Sequence, residues 1–224
     1  MALILNIETS TTNCSVSLSK EGETLVLKED YNNKYSHAEL LHNYIDEVII
    51  EAKITLSNLD AIAISKGPGS YTGLRIGVSA AKGLCVALDK PLISTPTLEA
   101  LAHQVNSDEG VIVSMLDARR MEVYSAVFNA NHQQIRETQA QILDGNSFKK
   151  YLEEGKVFFI GNGVAKTKEL ITHENAIFVE GKLPSANDMS QLAYQKYKKS
   201  DIEDVAYFEP YYLKDFIAIN PNKK

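Results

Sequence analysis

Apolar and polar positions along residues 2–28 follow a pattern that predicts a meander of three strands. The second strand shows the clearest alternation, because Val16 and Leu18 stand between serines. A helix follows at residues 36–52, where apolar residues recur at helical spacing and the spacing of Ser36 and Glu39 matches a capping box. The three predicted strands cover residues 2–7, 14–19 and 24–28.

Strands and helices then alternate up to a polar break at residues 106–110, after which a pattern of strand, turn and strand restarts. The elements predicted before the break are strands at 60–65 and 91–94, helices at 73–88 and 97–104, and a glycine-rich loop at 67–73. Those predicted after it are strands at 111–116, 122–128, near Ile135 and 157–160, turns at 129–132 and 161–163, and helices at 147–154 and 187–199.

Two landmarks recur at one fixed offset in the two halves of the chain. Glu8 and Asp117, the acids that end the first strand of each half, lie 109 positions apart. The turn residues Gly22 and Asn131 are separated by the same 109 positions. A fixed offset is the mark of an internal repeat. We interpret it as an ancient duplication of a unit in which a strand meander is followed by helices.

The composition is that of an ordinary globular protein, with 224 residues of which 44% are hydrophobic and 23% charged. It excludes a collagen, a coiled-coil rod and a mainly disordered chain. The formal net charge is −6 and no run of basic residues is present, so the chain alone lacks the clustered Lys and Arg that phosphate binding needs. Any role on a nucleic acid therefore requires a partner.

Cysteine usage and the length of the apolar runs predict the compartment. Cys14 and Cys85 lie among small and apolar residues without a CxxC or zinc-like spacing, so we expect reduced, buried thiols. No basic region precedes an apolar stretch at the N-terminus, and no apolar segment approaches the ~18 residues of a membrane span. We expect a cytoplasmic soluble protein that has no membrane partner.

The loop from Gly67 to Gly73 is the strongest local signal. Its place between a strand and a helix suits an anion held by backbone N–H groups. It equally suits a tight turn that starts the helix close to the strand. A dinucleotide fingerprint is disfavoured, because Pro68 removes an amide and a meander is not a βαβ nucleotide-binding half. A Walker loop is excluded, because the GK[ST] ending is missing.

Acidic residues end the first strand of each half, and Glu8 is followed by a run of hydroxyls at residues 9–12. Such acids can bind a phosphate-bound metal or position a water, and they can equally cap a turn. The segment from Asp117 to Arg120 places two guanidiniums beside a carboxylate, which suits an ion-pair knot or an anion clamp. No histidine pair has the spacing of a helical metal site and no nucleophile–base motif is present, so we expect neither a metal nor a catalytic residue.

Small residues follow much of the predicted helix at 73–88. An internal glycine costs a helix about 1 kcal/mol relative to alanine, so Gly77 and Gly83 need the close approach of another backbone as compensation. That backbone can belong to the chain's own domain or to another chain. The helix at 36–52 has an apolar face broader than one sheet contact needs. Together the two helices predict a protein interface. Its predicted residues are Leu41, Tyr44, Ile45, Val48, Gly73, Gly77, Ala80, Ala81 and Leu84.

Five blocks of sequence, at residues 4–16, 66–77, 81–84, 97–102 and 117–124, together resemble the TsaB (YeaZ) family. The resemblance is dense over residues 1–128, and the block at 66–77 is highly specific. It implies an α/β fold of the actin-like ATPase (ASKHA) class and a bacterial, non-catalytic partner of TsaD. With the ATPase TsaE, that pair transfers a threonylcarbamoyl group onto the adenosine next to the anticodon of tRNAs that read ANN codons. An older label of the family is glycoprotease-like, or M22 peptidase.

The resemblance implies two ribonuclease-H-like lobes, at residues 1–105 and 106–224, and leaves open whether the last helix returns to the first lobe. The places of the two metal-holding histidines of TsaD-like chains fall here on Thr97 and Leu101, which cannot replace imidazole ligands, so the catalytic centre is expected to be absent. No cofactor is expected beyond a weakly bound ATP or ADP at the partner interface. The weak nucleotide or anion contacts that stay open are Glu8, Thr9, Ser10, Gly69, Ser70, Gly161 and Gly163.

We therefore expect a scaffold subunit that docks TsaD through the helices at 36–52 and 73–88, reaches TsaE through that complex and meets tRNA only indirectly. A homodimer through the same helices stays open for the isolated chain. The alternative is a stand-alone ATP-dependent phosphotransferase of the same fold, which requires nucleotide turnover by the isolated chain. A peptidase has little support, because no nucleophile–base or metal constellation is present.

Overall fold

The structure is a computed structural model and describes residues 1–31 and 36–214. The first sheet consists of β1 (Leu3–Glu8), β2 (Cys14–Lys20), β3 (Glu23–Asp30), β4 (Ala61–Ser65) and β5 (Leu92–Thr95). The helices of this half are α1 (His37–Glu51), α2 (Tyr71–Leu88) and α3 (Thr97–Ala102), and a short 3-10 turn covers Leu56–Asn58. The strand order is β3-β2-β1-β4-β5, in which β2 is antiparallel to both neighbours and β4 and β5 run parallel to β1.

The second sheet repeats this arrangement strand for strand. It consists of β6 (Val111–Asp117), β7 (Glu122–Asn129), β8 (Gln134–Ile142), β9 (Val157–Ile160) and β10 (Ala176–Val179), in the order β10-β9-β6-β7-β8. The helices in this half of the chain are α4 (Lys149–Glu154), α5 (Val164–Leu170) and α6 (Ala186–Lys198). The meander of three antiparallel strands is again extended by two parallel strands. This is the ribonuclease-H-like order, and its repetition confirms the predicted α/β fold of the actin-like class.

Helix α6 belongs to the second half of the chain but packs on the first sheet. Its buried Met189 and Ala193 form one apolar cluster with Ile4, Ala61 and Ile93 of β1, β4 and β5. Lys196 near its end donates from Nζ to the carbonyl oxygen of a residue in β5 over 2.9 Å. The first sheet is therefore covered on this face by a helix that the second half supplies. The division of the chain at residues 105 and 106 stays a prediction.

Both faces of β2 are buried, although its alternation of serines and apolar residues is typical of a strand with one face in water. The polar face contacts the start of α6. Ser17 donates from Oγ to the carbonyl oxygen of Ala186 over 2.9 Å, and Ser15 Oγ accepts from the Ala186 N–H over 3.0 Å. Asn6 on the neighbouring strand donates to Ser17 Oγ over 3.1 Å. Serine is suited to this face because the covering element is a helix N-terminus rich in polar backbone.

The apolar faces of α1 and α2 pack against the opposite face of the first sheet. The predicted capping box at the start of α1 is wrong, because the Ser36 hydroxyl donates to Asp30 over 2.9 Å and makes no cap hydrogen bond. Most predicted elements are present with ends shifted by one to three residues. Helix α5 and strand β10 were not predicted, since each is short and shows no clear period. Within the described ranges, no helix combines the length and the apolar character needed to span a bilayer.

Candidate functional site

A shallow groove with a volume of about 580 Å³ runs between the outward-facing sides of α1 and α2. Its floor is apolar and its edge carries a few polar groups. Elsewhere on the same two helices, Ile50 is 73% exposed and Val86 is 76% exposed. Exposed apolar helix faces of this kind are typical of surfaces that dock another helix. The groove is lined by His42, Arg75, Ile76, Ser79, Ala80, Gly83 and Leu84.

The three glycines of α2 lie in different surroundings. A Cβ at Gly73 would collide with the carbonyl oxygen of Thr9, and one at Gly77 would collide with the Thr9 hydroxyl. Gly83 is exposed, and a Cβ built there would meet no heavy atom within 4 Å. The helix therefore needs glycine at position 77 because the chain's own β1–β2 loop passes over it. Our prediction that Gly77 marks the close approach of a partner's backbone is wrong. For Gly83, which has no neighbour from its own chain, that prediction still stands.

Six of the nine predicted interface residues are buried inside the chain. Leu41 and Val48 are fully inaccessible in the core beneath α1, and a partner cannot reach them without unfolding the helix. The prediction fails for these six because the apolar stripe of an amphipathic helix is the face that its own sheet takes. Tyr44, Ala80 and Leu84 are half-buried, and partner contact by these three stays a prediction. The six buried residues are Leu41, Ile45, Val48, Gly73, Gly77 and Ala81.

A second concavity, of about 680 Å³, lies between the carboxyl ends of the two sheets. Three of the residues that sequence analysis left open as nucleotide contacts line it, namely Ser10, Gly69 and Ser70. Two others, Glu8 and Thr9, are fully buried. The remaining two, Gly161 and Gly163, are packed against Met115 of β6 and do not line the cleft.

The glycine-rich loop is tied down by its own amides. The N–H of Gly67 donates to Thr97 Oγ1 over 3.1 Å, and the N–H of Ser70 donates to the Ser10 carbonyl oxygen over 2.6 Å. The N–H of Gly73 donates to Ser70 Oγ over 3.3 Å, which makes Ser70 the N-cap of α2. Of the two interpretations left open for this loop, the geometry favours the tight turn, because three of its amides are already used.

The two strand-end acids both cap turns. Glu8 Oε1 accepts from the Ser10 N–H over 2.5 Å, and Asp117 Oδ1 accepts from the Arg119 N–H over 2.6 Å. Each acid therefore bonds the amide two residues ahead, as turn-capping carboxylates do. Burial raises the pKa of Glu8 to about 7, although the hydrogen bond from Ser10 lowers it. The geometry thus favours the turn cap over the metal-binding role.

The segment after β6 does not form the ion-pair knot between Asp117 and the two arginines. Asp117 Oδ1 instead pairs with Lys166 Nζ over 2.9 Å. Arg119 and Arg120 are exposed, and neither guanidinium has a carboxylate within 4.0 Å in the described part of the chain. Of the two interpretations left open for this segment, the ion-pair knot is therefore wrong, and the anion clamp remains.

Thr97 and Leu101, on which the resemblance places the metal-holding histidines, are both engaged within the chain. Thr97 is buried and accepts the Gly67 amide, and Leu101 is buried in an apolar cluster against the second sheet. No group of three or more His, Cys, Asp or Glu residues suitable for a metal occurs in residues 1–31 and 36–214. Cys14 and Cys85 are free and buried, as predicted, and burial raises the pKa of each thiol to about 12.

The chain matches a family model described as "TsaD: tRNA N6-adenosine threonylcarbamoyltransferase" over residues 32–220. It is 28% identical to tRNA threonylcarbamoyladenosine biosynthesis protein TsaB of Escherichia coli (strain K12) over 224 residues, which cover 96% of each chain. It is 29% identical to the protein of the same description from Haemophilus influenzae, over 96% of this chain and 94% of that one. The solved structure of YeaZ from Pseudomonas aeruginosa has a TM-score of 0.81 and 25% identity, and covers 95% of this chain and 100% of that chain. The chain belongs to the TsaB/YeaZ family.

Membership of the TsaB/YeaZ family confirms the resemblance that the five sequence blocks carry. The match to TsaB proteins runs over nearly the whole chain, so it also includes the second half, where the blocks are sparse. Of the residues that line the groove, Gly83 was singled out by its cost to the helix, whereas His42 and Ile76 were not predicted. The sequence signal for both is their position away from the apolar stripe that each helix turns toward its own sheet.

Proposed function

We propose that this chain is a non-catalytic subunit in the biosynthesis of N6-threonylcarbamoyladenosine next to the tRNA anticodon. It docks TsaD through the groove between α1 and α2, and it reaches TsaE and tRNA through that complex in the cytoplasm. Full-length similarity to TsaB proteins supports the pathway. The groove, with its apolar floor and open edge, supports the docking role.

The observation that carries the proposal is the open space above Gly83. An exposed internal glycine lowers helix stability by about 1 kcal/mol relative to alanine, and the chain's own packing gives no reason for it, because nothing lies within 4 Å of its Cβ position. A second helix that crosses α2 at this point supplies the reason, since glycine lets two backbones approach closely. The neighbouring Ala80 and Leu84 extend the same contact along the groove.

Two side chains support the absence of catalysis. Thr97 Oγ1 is engaged by the Gly67 amide, and Leu101 is fully buried among apolar residues. Neither side chain offers an imidazole nitrogen, so a metal of the TsaD type has no ligands at these places. The chain therefore depends on a partner for the transfer chemistry.

The second candidate function is an ATP-dependent phosphotransferase of the same fold, which the cleft between the sheets favours. Against it, three amides of the glycine-rich loop are already bonded within the chain, at Gly67, Ser70 and Gly73. This candidate requires that the isolated chain hydrolyse or transfer the γ-phosphate of ATP. Steady release of phosphate by the purified chain would favour it over the scaffold.

The docking surface is tested by Gly83→Leu. The added side chain enters open space, so the chain is expected to fold with an unchanged or slightly higher melting temperature. An isobutyl group between two close backbones costs roughly 1–3 kcal/mol, so the dissociation constant for TsaD is expected to rise roughly 5- to 150-fold. Calorimetric titration with TsaD and thermal unfolding on one preparation measure both quantities.

Two matched glycine variants serve as controls. Gly145→Leu places the same side chain at another open position, where the nearest neighbour of a Cβ is the Leu170 carbonyl oxygen at 3.9 Å, and should leave TsaD binding unchanged. Gly77→Leu should destabilise the isolated chain, because its side chain collides with Thr9 and Ile64. Unchanged TsaD affinity in a well-folded Gly83→Leu chain would contradict the proposed docking surface.

A further inference from the structure

The turn between β6 and β7 holds two adjacent arginines in a disfavoured backbone conformation. Arg119 has a φ of 70° and Arg120 a φ of 50°, in the left-handed region that residues with a Cβ seldom adopt. Both side chains are exposed at one end of the cleft between the sheets, and Arg119 lines it. Asparagine or glycine would suit this backbone better, so the presence of two arginines points to a use for their side chains.

The turn is held in place by a brace from α5. Lys166 Nζ donates to three oxygens, namely Asp117 Oδ1 at 2.9 Å, the Arg120 carbonyl at 2.7 Å and the Glu122 carbonyl at 2.9 Å. Asn162 Oδ1 in addition accepts the N–H of Asp117 over 2.8 Å. The carboxylate of Asp117 is thereby occupied by the brace, and the two guanidiniums remain available to a ligand.

The turn carries a local positive charge in an acidic protein. The carboxylate of Glu122 is paired with Lys214, and that of Asp117 with Lys166, so both nearby acids are neutralised by lysines. The two arginines therefore form an uncompensated pair of positive charges, although the whole chain carries a net charge of −6. The cleft beside them is also lined by tyrosines, at Tyr71, Tyr124, Tyr211 and Tyr212.

We propose that the Arg119–Arg120 turn is a clamp for backbone phosphates of an RNA strand that passes over the cleft. Guanidiniums bind phosphate oxygens in a bidentate manner, and aromatic rings next to cations suit the unstacked bases of a single strand. This inference rests on the proposed function and deepens it, because the chain, once in the complex with TsaD, also contacts the tRNA directly. It replaces the expectation that tRNA is met only indirectly.

The test is the double variant Arg119→Asn with Arg120→Gly. It removes both guanidiniums and places at each position a residue that tolerates positive φ, so the turn and the melting temperature should be preserved. With the complex of this chain and TsaD, the dissociation constant for an unmodified tRNA transcript should rise roughly three- to thirtyfold. The slope of log K against log salt should fall by about 1.4, the value for two single-strand phosphates.

The control is Lys149→Gln with Lys150→Gln on α4, which removes two adjacent exposed charges elsewhere and should leave both quantities near those of the unchanged chain. The same titrations on the isolated full chain at low ionic strength form a second arm, since weak phosphate contacts are least screened there. If no complex with TsaD forms, the proposed function is wrong. The tRNA titrations on the isolated chain then test the arginine clamp by themselves.

Three results would overturn the clamp. One is tRNA binding and a salt slope that are unchanged in the arginine variant. Another is a loss of tRNA binding as large in the lysine control. The third is a variant that loses affinity for TsaD or for ATP while tRNA binding holds, because the arginines then contact the partner or a free nucleotide. A loss confined to tRNA and to the arginine variant supports the clamp.

Discussion

At the scale of single residues, Glu8 shows how a turn cap influences stability. Its carboxyl is fully buried, and burial raises its pKa from 4.5 to about 7. In the unfolded chain the same group ionises near its ordinary pKa. Between these two values the folded state binds more protons than the unfolded state, so this group lowers stability as the pH rises through that window. The loss is complete above the folded pKa.

We expect Glu8→Gln to stabilise the protein at pH 8 relative to the unchanged chain, and to have little effect at pH 4.5. The amide oxygen can still accept the Ser10 N–H, while the cost of ionising a buried group disappears, at most about 3 kcal/mol. Urea unfolding of both chains at the two pH values measures the difference. An equal effect at both pH values would show that Glu8 does not titrate in this window.

The two internal glycines of α2 show what the sequence could and could not decide at this scale. Gly77 shares a stripe with Leu74, Val78 and Ala81, so helical periodicity alone places it against the chain's own core. Gly83 lies off that stripe, and its exposure was predictable in the same way. What closes over Gly77 is the Thr9 hydroxyl, from a loop more than 60 positions away, and no local pattern reveals such a contact.

At the scale of elements, the meanders and the longer helices were predictable because their periods are clear. The burial of β2 was not, since the helix that covers its serines begins at Ala186. Helix α5 escaped prediction, and with it the brace that Lys166 provides. The contribution of the β2 serines to stability can be tested, because the second sheet offers a matched serine as a control. Ser114 is a buried strand serine whose hydroxyl has no hydrogen-bond partner.

We expect Ser17→Ala to lower the free energy of unfolding by roughly 1–3 kcal/mol, because the Ala186 carbonyl and the Asn6 amide each lose a partner in a buried place. Ser114→Ala, which removes an unpaired hydroxyl, should be neutral or slightly stabilising. Chemical denaturation of the two variants provides the comparison. Equal losses in both would mean that the contact between β2 and α6 contributes nothing beyond packing.

At the scale of the whole molecule, the internal repeat was visible in the sequence as one fixed offset. Whether the last helix packs on the first half could not be decided from the sequence. The structure ties the halves together at several points. Asn13 donates to the Pro184 carbonyl oxygen over 2.9 Å, and Glu29 accepts from the Ser185 hydroxyl over 2.7 Å. Both bonds join the first sheet to the segment that leads into α6. The halves are therefore expected to unfold together.

Met189→Ala tests this expectation. Met189 is fully buried between α6 and the first sheet, so its truncation should cost roughly 2–5 kcal/mol. If the chain unfolds as one unit, calorimetry should show a single transition that moves to lower temperature, with the fluorescence of tyrosines in both halves changing at the same point. Two separate transitions, of which only one moves, would show that each half unfolds independently and that the packing of α6 on the first sheet does not couple them.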